Sequence, residues 1–344
     1  MPKISIISPV YNASEYIDHF LESLENQTFQ DFEVVFVYDK SKDDCLEKLE
    51  FFCKKEGFKN KTKIIENVEK KGVGYAKDLG MQYSNPFSKY VIFLDSDDSF
   101  QETFLAKMIC KAEETGSDIT CCGYYRINYA DNKVICEEMT RNPERTQEIS
   151  QLSFPLFLIN TAAWNKLYTR EVAEKCRFGF AQHAEDLFFL LESLSLSKRI
   201  SFINEPLYRY FIHSGSLINS LSYERYIDTC DKFKLFEQKK NNTDLFSLIS
   251  AFIFLRIGIG TTIRVCESRD VKPKIVISQT KKYMKQYFLV FKKNKYLSFW
   301  FLRKAGVKGL AIWLLRMLYK MSLFYTAVKI YTWRQKKTKK EIRW

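Results

Sequence analysis

Tyr90-Val91-Ile92-Phe93-Leu94-Asp95-Ser96-Asp97-Asp98 joins an apolar run to a cluster of acids. The first five residues are β-branched, aromatic or aliphatic and too few for a typical helix, so they read as a buried strand. Three carboxylates within the next four residues repel one another, and buried ones need a counter-charge. Two readings follow. Asp and Ser favour turns, so the acids can close a loop. Alternatively, their oxygens can hold a hard divalent cation together with a substrate phosphate.

The preceding residues set the context. Ile4–Ser8, Glu33–Tyr38 and Lys63–Glu66 read as strands. Ser14–Asn26, Asp43–Glu56 and Gly74–Tyr83 read as helices, with Ser14 as an N-cap and Gly57 closing the second. Strands alternating with helices of this length imply βαβ units and a mostly parallel sheet covered on both faces. Ligands of such sheets bind beyond the carboxyl ends of the strands. Pro9-Val10-Tyr11-Asn12, Asp39 and Asp95-Ser96-Asp97-Asp98 all fall at those ends. Three such motifs at one sheet edge describe a pocket.

Beyond residue 100 the pattern is mixed. Glu102–Thr115 reads as a helix ending near Gly116, Ile119–Ile127 as a strand, Asn128–Ser150 as a polar loop, and Phe202–Phe211 as one or two strands around Pro206. Glu185-Asp186 directly precedes the apolar helix Leu187–Leu196; the pair can cap that helix, or act as a base beside apolar surface. From about residue 220 long segments follow helical periodicity: Tyr223–Lys240, Leu245–Cys266, Lys274–Phe291 and Ser298–Tyr331. The organisation expected is 1–100 and 101–218 as two halves of one α/β domain, then a helical region over 219–344.

The chain has 344 residues, 46% hydrophobic and 16% aromatic, enough for a large core. Nine cysteines without CxxC pairs argue against a zinc site or a disulfide framework, and point to a reducing compartment. The start Met1-Pro2-Lys3-Ile4 carries no leader pattern. The net charge of +13 suggests an anionic partner. Lys308, Arg316, Lys320 and Lys329 interrupt the last apolar segment. That argues against a spanning helix and for a basic amphipathic one on an anionic membrane surface, helped by the tail Arg334–Lys340; an ordinary bundle helix with a solvated face is the alternative.

The ordered set Ile6-Ile7-Ser8-Pro9-Val10-Tyr11-Asn12, Ser23-Leu24-Glu25-Asn26-Gln27-Thr28-Phe29, Phe32–Asp39, Phe93–Asp98, Trp164-Asn165-Lys166-Leu167 and Glu185-Asp186 resembles the family 2 glycosyltransferases with the GT-A fold. The resemblance covers residues 3 to about 216. It implies a Rossmann-like sheet and a UDP-sugar donor touched by Pro9, Tyr11, Asn12, Asp39, Lys77, Asp95 and Ser96. It also implies Mn²⁺ or Mg²⁺ held by Asp97 and Asp95, with His213 as a further ligand or a structural residue. Asp186 is then the general base of an inverting transfer, with Glu185 beside it, and Trp164 and Lys166 shape the acceptor site. The acceptor implied is a glycan or polyprenol-linked oligosaccharide of surface polysaccharide synthesis, met in the cytoplasm at the inner face of the cell membrane. Three departures stand out. Tyr38 replaces the first of two family aspartates. Lys77 stands where the family has Arg. The Gln-x-x-Arg-Trp motif and multiple spans of processive synthases are absent, which implies addition of one sugar.

Two other classes fit less well. A nicotinamide-dependent oxidoreductase needs Gly-x-Gly-x-x-Gly after the first strand, where Pro9-Val10-Tyr11-Asn12 stands instead. A basic binding module, including a catalytically degenerate transferase scaffold, is allowed by the charge, but no nucleic-acid motif accompanies it.

Overall fold

The first strand becomes the axis of a parallel ladder. β1 (Ile4–Val10) pairs with β2 (Phe32–Asp39) on one side and β4 (Tyr90–Phe93) on the other, and β2 pairs with β3 (Thr62–Asn67), all parallel. The connections are α1 (Ile17–Glu25), α2 (Cys45–Lys54) and α3 (Val73–Tyr83). This computed structural model describes residues 1–69, 71–140, 146–149, 159–179, 184–213, 223–267 and 272–330. The expectation for the basic tail Arg334–Lys340 lies outside them. The chain divides into two compact units, Met1–Gln151 with Thr161–Ser216, and Leu152–Asn160 with Leu217–Trp344.

In the first unit both sheet faces are buried, which explains the uninterrupted apolar strands. Ile4, Ile6, Val34, Phe36 and Ile92 share one core cluster with Phe20 of α1, Phe52 of α2 and Phe104 of α4 (Phe104–Thr115). On the other face Val35 and Val37 pack against Ala76 of α3. Gly80 makes that contact possible: a Cβ there would stand 2.4 Å from Ile7 Cγ2 and 2.9 Å from Val37 Cγ2.

The sheet continues through β9 (Lys166–Thr169), antiparallel between β4 and β6 (Ile119–Asn128). β10 (Arg199–Ile212) runs parallel to β6, and β5 (Ser99–Phe100) pairs antiparallel with β10. The order is β3-β2-β1-β4-β9-β6-β10-β5, with β7 (Lys133–Glu138) on β6 and β8 (Gln147–Glu148) on β10. Two helices complete the unit, α5 (Arg170–Ala173) and α6 (Glu185–Leu196).

Several local expectations need correction. Ser14 does not cap α1, whose N-cap is Tyr16; the Ser14 N–H donates to Asp43 Oδ2 at 2.9 Å instead. α2 stops at Lys54 because Lys55 turns extended (ψ 141°), two residues before Gly57. Gly116 does end α4, in the left-handed conformation (φ 60°). The expected loop over 128–150 contains the hairpin strand β7 and the short β8. Around Pro206 a single strand persists, with register shifts between Ile203 and Tyr208 where the proline lacks an N–H.

The second unit is helical: α7 (Tyr223–Phe233), α8 (Thr243–Ile253), a π-helical turn Phe254–Thr261, α9 (Thr262–Glu267), α10 (Pro273–Tyr287), α11 (Phe299–Leu302) and α12 (Gly306–Lys320). Thr243–Cys266 is long and apolar enough to cross a membrane, yet 89% of its apolar window is buried inside the protein. It is the core helix of this unit. The expected basic face of the last segment is also revised. Arg316 is buried, and its guanidinium donates to the carbonyls of Val290, Leu297 and Lys292 at 2.6–2.9 Å. Phe324 and Val328 are buried as well.

Candidate active site

The carboxyl ends of the parallel strands carry the candidate residues. Register pairs Val10 with Tyr38 and Asp39 with Asn67. Beyond β1, Tyr11 is 58% exposed and Asn12 takes a left-handed conformation (φ 48°) that Asn tolerates. Pro9 is half-buried. Asp39 Oδ1 accepts from Asn67 Nδ2 at 2.5 Å, while the buried Asn67 Oδ1 has no hydrogen-bond partner. Asn67 was not singled out in the sequence; its signal was its position at the end of the third parallel strand.

The acidic turn after β4 divides three ways. Asp98 is 1% exposed and points inward: Tyr208 Oη–H donates to one oxygen at 2.8 Å and the Phe211 N–H to the other at 2.9 Å. Burial, with Asp97 and Asp95 close by, pushes its carboxyl well above the usual range. Ser96 is also buried. Asp97 faces outward and meets His213 Nε2 at 2.9 Å, just past the end of β10. His213 stacks on Tyr16 at 4.4 Å, and its buried Nδ1 has no partner. The hydrogen bond to Asp97 raises the imidazole pKa against the opposing effect of burial. Asp95 turns to Lys77.

Lys77 is the hub. It is 2% exposed, and its ammonium lies 3.0 Å from Asp186 Oδ1, 3.4 Å from Asp95 Oδ1 and 5.2 Å from the Phe178 ring centre. Burial alone would lower its pKa, but Asp186, Asp95 and Glu185 together hold it above the ordinary lysine value. Burial raises Asp95 against the pull of Lys77.

Asp186 lies at the start of α6. Ala184, not an acid, is the N-cap, in the left-handed region (φ 64°) and without a side-chain bond; the capping reading of Glu185-Asp186 is therefore replaced. Asp186 Oδ2 accepts from the Ala163 N–H at 3.3 Å. Phe189 of α6 stacks on Phe178 at 4.1 Å and meets Phe93 of β4 edge-on at 5.1 Å, fixing the helix beside the acidic turn. Gly74 permits the approach from α3: a Cβ there would stand 3.2 Å from Glu185 Cβ. Glu185 is raised to about 7 by burial and by the adjacent Asp186.

Trp164 and Lys166 differ from expectation. Trp164 is buried, stacked on Tyr208 at 4.4 Å. Lys166 is fully buried, donating to Ala162 O at 2.6 Å and Asn165 Oδ1 at 2.7 Å. Their packing leaves neither side chain free to touch an acceptor; Lys166 instead fixes the backbone beside the N–H that serves Asp186.

The acids test well against a metal. Asp95, Asp97 and Asp98 bring carboxylate oxygens within 4.8 Å of one another. Both oxygens of Asp98 are engaged by Tyr208 and Phe211, which leaves Asp97, with the His213 ring nitrogen adjoining, and the Asp95 oxygen other than the Oδ1 that faces Lys77. Two carboxylates and an imidazole fit Mn²⁺, and the oxygens alone fit Mg²⁺.

The family described as glycosyl transferase family 2 matches residues 5–177, half of the chain. The chain belongs to glycosyl transferase family 2. Among relatives, EpsH of Bacillus subtilis is 29% identical over 224 residues, which are 63% of this family 2 chain and 63% of EpsH. The chain thus spans under two thirds of that relative. Among solved structures, S. aureus TarS 1-349 in complex with UDP-GlcNAc matches with a TM-score of 0.70 at 18% identity, covering 96% of this chain and 91% of that one. The mannosyltransferase PcManGT from Pyrobaculum calidifontis, in complex with GDP-Man and Mn²⁺, matches with a TM-score of 0.52 at 13% identity, covering 99% and 88%. Both share the α/β GT-A architecture.

Proposed function

We propose that the protein transfers a single sugar, with inversion, from a UDP-sugar to a glycan or lipid-linked oligosaccharide during surface polysaccharide assembly. The observation that carries this reading is the Lys77 bridge, which brings Asp186 of α6 into one cluster with the acidic turn after β4. Tyr11 offers an exposed ring for a flat base, and Asp39 and Asn67 offer acceptors for its N–H groups. Asp97, Asp95 and His213 would hold Mn²⁺ or Mg²⁺. That ion, when bound, supplies positive charge to the departing diphosphate. Asp186, held by Lys77 and the Ala163 N–H, takes the proton from the acceptor hydroxyl. Lys166 acts through the backbone at Ala162 and Ala163, and Trp164 packs behind the site on Tyr208. A cytoplasmic site at an anionic membrane surface, with no role for nucleic acid, completes the reading.

UDP release measured across a panel of UDP-sugars with Mn²⁺ tests it. Asp186→Asn is expected to lose about 10²–10⁴-fold in turnover while keeping UDP affinity. Undiminished turnover removes Asp186 as base. Absence of turnover with every donor favours the degenerate-scaffold reading.

A further inference from the structure

The second unit carries an exposed surface with an unusual charge. Between Asp270 and Glu341 the sequence holds 16 lysines and 3 arginines and no acidic residue. This one region exceeds the net charge of the whole chain, +13. Such separation of charge gives a local field that a chain average hides.

α12 shows how that charge is displayed. Its inward side buries Ile312, Arg316 and Tyr319. Val307, Leu310 and Leu314, spaced by three and four residues, form a stripe on the opposite side, 84%, 42% and 52% exposed. Just before it Trp300 is 67% exposed, with the Arg303 guanidinium 4.5 Å from its ring centre. Arg303, Lys304 and Lys308 are exposed beside the stripe. A soluble helix has no reason to be apolar on both sides. Aliphatic residues with an exposed indole and a basic flank suit insertion to the headgroup level of a bilayer, while a polyanion alone would use the cations and leave the aliphatics wet.

We infer that the outer face of α11 and α12, led by Trp300, Val307, Leu310 and Leu314 and flanked by Arg303, Lys304 and Lys308, docks on an anionic phospholipid bilayer. This deepens the membrane partner of the proposed function by naming its surface. That surface keeps Lys308 from the basic face expected in the sequence but not Arg316, which is buried.

Co-sedimentation of the full chain with phosphatidylglycerol/phosphatidylcholine vesicles tests it, with pure phosphatidylcholine as comparison. Binding is expected to be strong on the anionic vesicles, weak on the neutral ones and reduced by salt. Neutralising Arg303, Lys304 and Lys308 to Gln is expected to cut partitioning by about 100-fold. Val307→Ser with Leu310→Ser and Leu314→Ser is expected to reduce it comparably, with the circular dichroism spectrum retained. No binding to anionic vesicles, or undiminished binding by both variants, overturns the assignment. Loss in the charge variant alone points to a plain polyanion site and also overturns it. UDP release on transfer of the sugar to a soluble acceptor is measured on the same samples, so failure of docking and failure of the transferase reading are separate results.

Discussion

The Lys77 ammonium sits 3.0 Å from Asp186 Oδ1, an ion pair between residues 109 apart in sequence with the lysine almost fully buried. Its removal leaves Asp186, Asp95 and Glu185 facing one another without a counter-charge. Breaking a buried pair in this way costs about 3–5 kcal/mol. Lys77→Met is therefore expected to lower the unfolding midpoint in urea and to abolish transfer. A variant of normal stability and turnover would mean that the cluster does not depend on this lysine.

Adjacent aspartates should part company. Asp98→Ala strands Tyr208 Oη–H and the Phe211 N–H, at a cost of about 1–3 kcal/mol for each buried group left unpaired. Asp97→Ala strands neither, and is expected to keep the melting temperature while losing stimulation by Mn²⁺. Calorimetry and metal titration on both variants check the split; equal effects on stability would contradict it.

Chelation by EDTA is expected to stop UDP release and added Mn²⁺ to restore it. His213→Ala should then raise the Mn²⁺ concentration for half-maximal activity by about 10-fold or more, as loss of a ligand or its close partner does. An unchanged metal requirement assigns His213 to packing on Tyr16.

Asp78 gives a pH signature. It accepts the N–H groups of Phe178 and Gly179, and burial raises its carboxyl to about 6. The folded state therefore holds this proton more tightly than the unfolded chain. Its contribution to stability is full below the unfolded value near pH 4, and is lost as pH rises towards 6. At about 1.36 kcal/mol per pH unit, the loss amounts to roughly 3 kcal/mol at most. Urea unfolding of wild type and Asp78→Asn at pH 4 and pH 7 reads it: the variant should gain relative to wild type at the higher pH. A constant difference would rule the effect out.

Tyr11→Ala is expected to raise the donor KM by about 10-fold with little change in kcat, the loss of one aromatic contact to a base. A fall in kcat alone would place the ring elsewhere.

The parallel half of the fold was legible because its strands are buried on both faces and so read as apolar runs between turn residues. The location of the site followed, since Pro9–Asn12, Asp39 and Asp95–Asp98 end those strands. Partnerships were not legible. Lys77 read as a donor contact because the family resemblance has an Arg there, and its ion-pair partners, Asp95 and Asp186, could not be read from that resemblance. Trp164 and Lys166 carry polar atoms suited to an acceptor, yet their burial depends on β10 and on the Ala162 carbonyl. Nothing in a helical wheel told that Arg316 would turn inward, because three carbonyls from residues 290–297 receive it. Periodicity reports which face is apolar, and long-range packing decides which face is covered.

The missing Cβ of Gly80 lets α3 lie against Ile7 and Val37, and Gly74 on the same helix lets it lie against Glu185. One helix thus touches the strands that end at the proposed donor pocket and the helix that carries the proposed base, Asp186. Grafting a donor loop from a relative, to change which sugar is accepted, will shift α3 and misalign Asp186 unless α3 and its two glycines travel with the graft. On the proposed roles, selectivity and turnover are expected to be inherited together, and a screen for new donors should recombine residues 1–100 as a block.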